Sequence, residues 1–218
     1  AVTRGDGYIG EDVTQNVKTI KSLPLLLKDK RLPKKFTLKG EVFIDKKDFE
    51  TINNELDTKG EKKYSNPRNL AAGSIRQLDP LIASMRNLKL FIHGVSDYEK
   101  FIHINKHDIL IAYLKDLGFP INKYYRVLKD LGLSINYFNE MNKTRDTLPY
   151  EIDGLVYRVN NLTKYKSLGF TSKAPKWAIA YKFKALEALT RINDVTFQVG
   201  RTGTITPVAE LDKVNIGG

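Results

Sequence analysis

Four charged residues stand in settings suited to chemistry on a phosphate: Arg4 within Thr3-Arg4-Gly5-Asp6-Gly7, Glu41 directly after Gly40, Arg158 shortly after Asp153-Gly154, and Lys182 between Tyr181 and Phe183. Each sits on a strand-like run or in a tight turn. A site that transfers a nucleotide must gather cations around a phosphorus acquiring charge, and strand-borne Arg and Lys from separate segments can do so without reorganising. A carboxylate such as Glu41 can accept hydrogen bonds from ribose hydroxyls. Taken singly, each has a plainer reading: a strand Arg or Lys usually points to solvent, and Glu41 fits a strand-edge salt bridge. Only their combination carries weight.

The elements that must position these residues can be read from periodicity. The glycines of Thr3 to Asp12 forbid a regular element, so Arg4 belongs to a shaped loop. Lys35 to Ile44 reads as a strand carrying Glu41, followed by a helix with Phe49, Ile52 and Leu56 inward behind a cap at Asp45. Asn66-Pro67 reads as a break in a polar stretch, and Leu88 to Val95 as a buried strand. Leu110, Tyr113, Leu114 and Leu117 predict a helix that stops at Gly118. A second helix from near Ser134 should turn Ile135, Phe138 and Met141 inward. Glu151 to Val159 and Trp177 to Phe183 are strand-like and carry Arg158 and Lys182, and from Asp194 the pattern becomes short hairpins. The expected architecture is α+β, with antiparallel sheets flanked by helices.

Bulk properties narrow the partner. Thirty-six Lys and Arg against 25 Asp and Glu leave a net charge of +11, which favours a polyanion, nucleic acid before an anionic membrane. The longest apolar runs, 23–27 and 88–92, are strand-sized, so no membrane span is expected. With no cysteine and three scattered histidines there is neither a disulfide framework nor a thiolate zinc site, and a reducing cytoplasm fits. The opening residues show no export signal and read as a cut end.

The sequence also resembles a known family. Thr3 to Gly7 (TRGDG), Gly10 to Asp12 (GED), Gly40 to Phe43 (GEVF), Asn66 to Asn69 (NPRN), Ala71 to Pro80 (AAGSIRQLDP), Ile152 to Gly154 (IDG), Ala174 to Phe183 (APKWAIAYKF) and Gln198 to Ala209 (QVGRTGTITPVA) are similar, in order, to motifs of NAD-dependent DNA ligases. The resemblance implies a nucleotidyltransferase (adenylation) domain over 1–190 and the first strands of an OB-fold barrel over 191–218. It implies a parent enzyme of DNA replication and repair, monomeric and cytoplasmic. That enzyme would take NAD as AMP donor with Mg²⁺ or Mn²⁺, and would act on nicked duplex DNA. By position, Arg4, Glu41, Arg158 and Lys182 resemble the cofactor-binding residues. Lys182, Arg158 and Asp153 resemble the catalytic group, with Asp153 a candidate metal ligand. Arg68, Arg76 and Arg201 resemble residues on the DNA-facing side, where guanidinium groups suit phosphate. Zinc would belong only to a missing C-terminal part.

Two departures from the family pattern matter. No Lys-x-Asp-Gly tetrapeptide, which holds the family's nucleophile, occurs in the chain; Glu151-Ile152-Asp153-Gly154 has Glu where Lys is needed. Position 158 is Arg where the family has Lys, which keeps the charge but is planar and bulkier. A non-catalytic DNA-binding remnant of such a ligase is therefore a second reading. An ATP-using ligase or capping enzyme is a third, which the NPRN and RQLDP segments oppose. Incubating the 218-residue chain with NAD and Mg²⁺ should leave its intact mass unchanged; a stable AMP adduct would show that another residue serves as nucleophile.

Overall fold

A computed structural model of the chain describes residues 1–101, 103–172, 174–184 and 188–214. They form two compact units, Ala1–Lys182 and Phe183–Gly218. The larger unit opens with a loop closed by a bridge between Val2 and Asp12. There follow α1 (Thr14–Val17), β1 (Leu38–Phe43), α2 (Lys46–Thr58), α3 (Pro67–Ile75), α4 (Pro80–Met85) and β2 (Lys89–Val95). Next come α5 (His107–Asp116), α6 (Leu131–Thr144), β3 (Gly154–Arg158), α7 (Tyr165–Leu168) and β4 (Ala178–Lys182). The smaller unit is a hairpin of β5 (Ile192–Val199) and β6 (Ile205–Leu211). Among the described residues the strands make three two-stranded antiparallel sheets, β1–β2, β3–β4 and β5–β6. With the helices around them they bear out the α+β expectation. No described helix is long and apolar enough to cross a membrane.

Local chemistry explains where the helices differ from their expected bounds. Asn66-Pro67 is a helix start rather than a break: the Asn66 side chain accepts the Asn69 N–H at 2.7 Å, and Pro67 takes the first helical position, where a missing N–H costs nothing. Helix α6 begins at Leu131 because Asp130 caps it, accepting the Leu133 N–H at 2.8 Å. Its buried residues are Tyr137 and Met141, and Ile135, expected inward, is 49% exposed. Asp45 precedes α2 as expected but makes no side-chain cap; its carboxylate is taken by the Lys89 ammonium. Helix α5 follows its periodicity, with Leu110 and Leu114 buried and Gly118 at φ +90° ending it.

The main core gathers Ala71 and Ile75 of α3, Leu90 and Ile92 of β2 and Leu110, Ile111 and Leu114 of α5. Strand β2 alternates cleanly: Leu90, Ile92 and Gly94 are buried, while Lys89, Phe91 and His93 take the other face. Gly40 pairs with Ile92 but Lys39 pairs with Gly94, so His93 is the extra residue of a β-bulge. In the second sheet, Gly154 pairs with Lys182, Val156 with Ala180 and Arg158 with Ala178, which puts Arg158 and Lys182 on one face. The opposite face meets α6: Tyr181 packs on Phe138 at 4.3 Å between ring centroids, and the Tyr157 hydroxyl donates to the Ser134 carbonyl at 2.7 Å. Gly154 lets the strands approach, since a Cβ there would lie 2.4 Å from the Tyr181 carbonyl oxygen. Because that obstacle is backbone, Gly154→Ala should lower stability by about 1–3 kcal/mol, read from the urea midpoint.

Candidate functional site

Two sheets are drawn together by aromatic packing. Phe43 of β1 stacks on Phe91 of β2 at 4.6 Å, and Tyr150, just before β3, packs against both, at 5.1 Å and 5.4 Å. The Lys46 N–H donates to the Pro149 carbonyl at 2.7 Å, holding the same segment at the end of β1. The chain then rises through Asp153 into β3, whose last residue reaches β2. Arg158 donates through Nη1 to the His93 carbonyl at 3.3 Å and meets His93 Nδ1 through Nη2 at 2.9 Å.

Every wall of this guanidinium site has a structural reason. The bulge turns His93 toward it. Gly94 leaves it room: a Cβ at that position would lie 3.2 Å from Arg158 Nη1 and 3.6 Å from His107 Nε2. The guanidinium carbon stands 5.9 Å from the Trp177 ring centroid, and Trp177 is stacked on Tyr165 at 3.9 Å, nearly parallel. Among the described residues no carboxylate pairs with Arg158. Four buried side-chain atoms around this cluster also make no hydrogen bond: His107 Nε2, Asp108 Oδ1, Tyr165 Oη and Trp177 Nε1. A half-buried cation with no carboxylate paired to it, beside the Tyr165 hydroxyl and the Trp177 indole N–H, suits an electron-rich ligand; Asp108 Oδ1, an acceptor, does not add to that.

The electrostatics agree with that reading. Burial, and after it the Arg158 charge, depress His93 to about 4 and His107 to about 4, so both imidazoles are neutral at pH 7. Burial pushes the Tyr125 hydroxyl up to about 12, and this phenol lies 3.4 Å from His107 Nδ1. Burial also lowers Arg158 from its usual value, and the neighbouring phenols of Tyr165 and Tyr125 counter that.

The other residues singled out from the sequence fall in several places. Lys182 lies on the face of β3–β4 that bears Arg158 and pairs with Asp153 at 3.2 Å, with both side chains about 70% exposed. Such an exposed pair is weak, on the order of 0–1 kcal/mol, and leaves Lys182 available. Asp153 belongs to no group of three metal-ligating side chains among the described residues. Glu41 is exposed on β1, paired with Phe91, on the sheet face that carries His93. Arg4 is exposed in the first loop, which is shaped by Gly5 at φ +53° and by Asp6 Oδ1 accepting the N–H groups of Tyr8 and Ile9, both at 2.8 Å. Arg76 pairs through Nε with Glu11 at 2.8 Å, tying the end of α3 to that loop. Arg68 is exposed in the first turn of α3. Arg201 is exposed in the β5–β6 turn of the smaller unit. Sequence reasoning passed over His93, His107, Tyr125, Tyr165 and Trp177. A histidine before a glycine in a buried strand was the available signal, but the bulge that aims it has no sequence mark.

Comparison with known proteins adds a family. The model of the NAD-dependent DNA ligase adenylation domain matches residues 1–186, and that of the NAD-dependent DNA ligase OB-fold domain matches residues 189–218. A DNA ligase of Hahella chejuensis is 46% identical over 217 residues, and one of Syntrophobacter fumaroxidans is 45% identical over 222. All of this chain is covered in both, against 32% and 33% of those proteins, so the chain spans about a third of the length of the curated relatives it matches.

The neutral imidazoles have a consequence for acid stability. Their folded values, about 4, lie below the ordinary 6.5, so between those values the unfolded chain binds more protons. Their contribution is therefore fully present above about pH 6.5 and is lost as pH falls toward 4. Urea midpoints measured across that window should fall with pH, and a His93→Gln, His107→Gln double variant should show a flatter profile.

Proposed function

The chain belongs to the NAD-dependent DNA ligase family, and from that premise we propose that the longer protein to which it contributes seals nicks in duplex DNA. A lysine would attack the AMP half of NAD, nicotinamide mononucleotide would leave, and AMP would pass to the 5′-phosphate of the nick. The 3′-hydroxyl would then displace AMP, so that one difficult joining is split into easier steps. A monomer serving replication and repair in the cytoplasm fits this reading.

The observation that carries it is the Arg158 guanidinium, which is half-buried, has no carboxylate paired to it among the described residues, and lies on the same strand face as Lys182. Cations fixed in this way oppose negative charge as it develops and need no reorganisation. The fit to an adenine nucleotide is chemical: an anion meets Arg158 and Lys182, Glu41 on the neighbouring sheet offers an acceptor for sugar hydroxyls, and the His93 ring offers surface for a base. Arg4 supplies a further cation from the first loop. Asp153 stands beside Lys182 as a weak, exposed ion-pair partner. The described residues do not build a metal site of their own, Asp153 being a single carboxylate already opposite a cation. Any Mg²⁺ would depend mainly on substrate phosphates, as that ion commonly does, and no step here is routed through it. Arg68, Arg76 and Arg201 are assigned to the DNA backbone, a sequence-independent role that suits sealing any nick.

In the intact protein containing this segment and a Lys-x-Asp-Gly motif, Lys182→Ala and Glu41→Ala should each lower nick sealing by roughly 10²-fold or more, with unfolding midpoints unchanged. Undiminished sealing in both would remove the assignment. The second reading, a non-catalytic DNA-binding remnant, is favoured by Arg158 standing where the family has Lys. Nick binding without any sealing by that intact protein would establish it.

A further inference from the structure

Residues 28–39, Lys-Asp-Lys-Arg-Leu-Pro-Lys-Lys-Phe-Thr-Leu-Lys, concentrate the chain's charge. Six cations, Lys28, Lys30, Arg31, Lys34, Lys35 and Lys39, stand against a single acid, Asp29. All six are exposed. The segment is nevertheless fixed, because Leu27, Leu32, Phe36 and Leu38 are partly buried against the main core, and Phe36 packs edge-on against Phe101 at 5.4 Å. Apolar side chains anchor it and cations face water.

The one acid is already committed. Arg31 grips Asp29 through Nε at 3.0 Å and Nη2 at 2.7 Å, and the Tyr113 hydroxyl donates to the same carboxylate at 3.1 Å. The hydrogen bonds from Arg31 hold that carboxyl well below its usual range. Lys28, Lys30, Lys34, Lys35 and Lys39 form no ion pair among the described residues. Lys100 donates to the Lys35 carbonyl at 3.0 Å and brings a further ammonium to the segment, itself paired with Asp97 at 3.1 Å. The row ends at the candidate site: Lys39 lies in β1 opposite Gly94, next to the His93 bulge.

Unpaired cations crowded within a Debye length repel one another, and anchoring them to the core stops the segment relaxing away. A polyanion lying along them would relieve that repulsion. We propose that residues 28–39 form a second binding surface, outside the nucleotide site, for the phosphate backbone of duplex DNA. The cations are mostly lysines, point charges on flexible stems, which suit following a backbone rather than reading bases. The proposal rests on the ligase reading only in its choice of DNA as the polyanion.

The test uses the 218-residue chain and a fluorescently labelled nicked duplex, with anisotropy titrations from about 50 to 200 mM NaCl. Each backbone phosphate neutralised contributes about 0.9 to the slope of log affinity against log salt. Replacing Lys28, Lys30, Lys34 and Lys35 by Gln should reduce that slope by about two to four and weaken binding about tenfold or more at 0.1 M salt. A control in which Lys47, Lys59, Lys62 and Lys115 become Gln removes the same charge from other exposed elements and should change the slope by less than about one. Unfolding midpoints check that both variants fold. An unchanged slope in the first variant, an equal drop in the control, or binding to phosphatidylserine vesicles but not to duplex would each overturn the proposal. Failure of the intact protein to seal nicks, with the slope drop still present, would sink the ligase reading alone.

Discussion

The contact between Arg158 and His93 joins the two sheets of the larger unit. A guanidinium drawn half out of water loses hydration, and here, among the described residues, it gains a carbonyl, an imidazole nitrogen and the face of Trp177 in exchange. The two imidazoles beside it add no positive charge of their own: burial keeps His93 and His107 neutral at pH 7. Gly94 eases the contact, since a Cβ there would crowd the guanidinium at 3.2 Å from Nη1. Of the two bonds that join β3 to β2 here, one goes to the His93 backbone and one to its ring.

Much of the remaining architecture can be understood as support for that contact. The Phe43, Phe91 and Tyr150 cluster supplies the apolar part of the join and sets where β3 begins. Gly154 brings β4 close enough for Lys182 to face the same way as Arg158. Arg76 and Glu11 link the end of α3 to the loop carrying Arg4, and Asn16 strengthens the link by donating to the carbonyls of Ile75 and Gln77 at 2.8 Å and 2.7 Å. Arg158 and Lys182 thus share one strand face, and Arg4 stands in a loop tied to the end of α3.

How far this was legible depended on whether one stretch of chain contained the cause. Helix α5 was legible because its stripe and its stop at Gly118 are both local. Strands β2, β3 and β4 were legible from their runs; that Arg158 and Lys182 share a face comes from the register of β3 on β4, which no single run contains. Asn66-Pro67 misled because the same pair breaks one element and caps the next, and only the Asn69 N–H bound by the Asn66 side chain decides between them. Ile135 misled because periodicity gives spacing without saying which phase meets the core, and in α6 that phase is set by Tyr137 and Met141. The histidines were missed for a deeper reason: His93 and His107 matter only through Arg158, which lies far from both in sequence and meets them through a bulge.

Arginine in place of lysine at position 158 is best judged against this geometry. An ammonium is a compact charge on a flexible stem and could leave a partner freely; a guanidinium is planar and can bond two acceptors at once. Here it does so, using Nη1 for the His93 carbonyl and Nη2 for the imidazole. Arginine at this position is thus a structural tie between sheets as well as a site cation, a double use that lysine's geometry serves poorly. A ligand entering the site would either leave both bonds in place, meeting the remaining N–H groups, or replace them with its own acceptors. The unpartnered His107 Nε2, Tyr165 hydroxyl and Trp177 indole N–H close by favour the second course, because a ligand that disturbs the tie meets polar groups with no bonds of their own to lose.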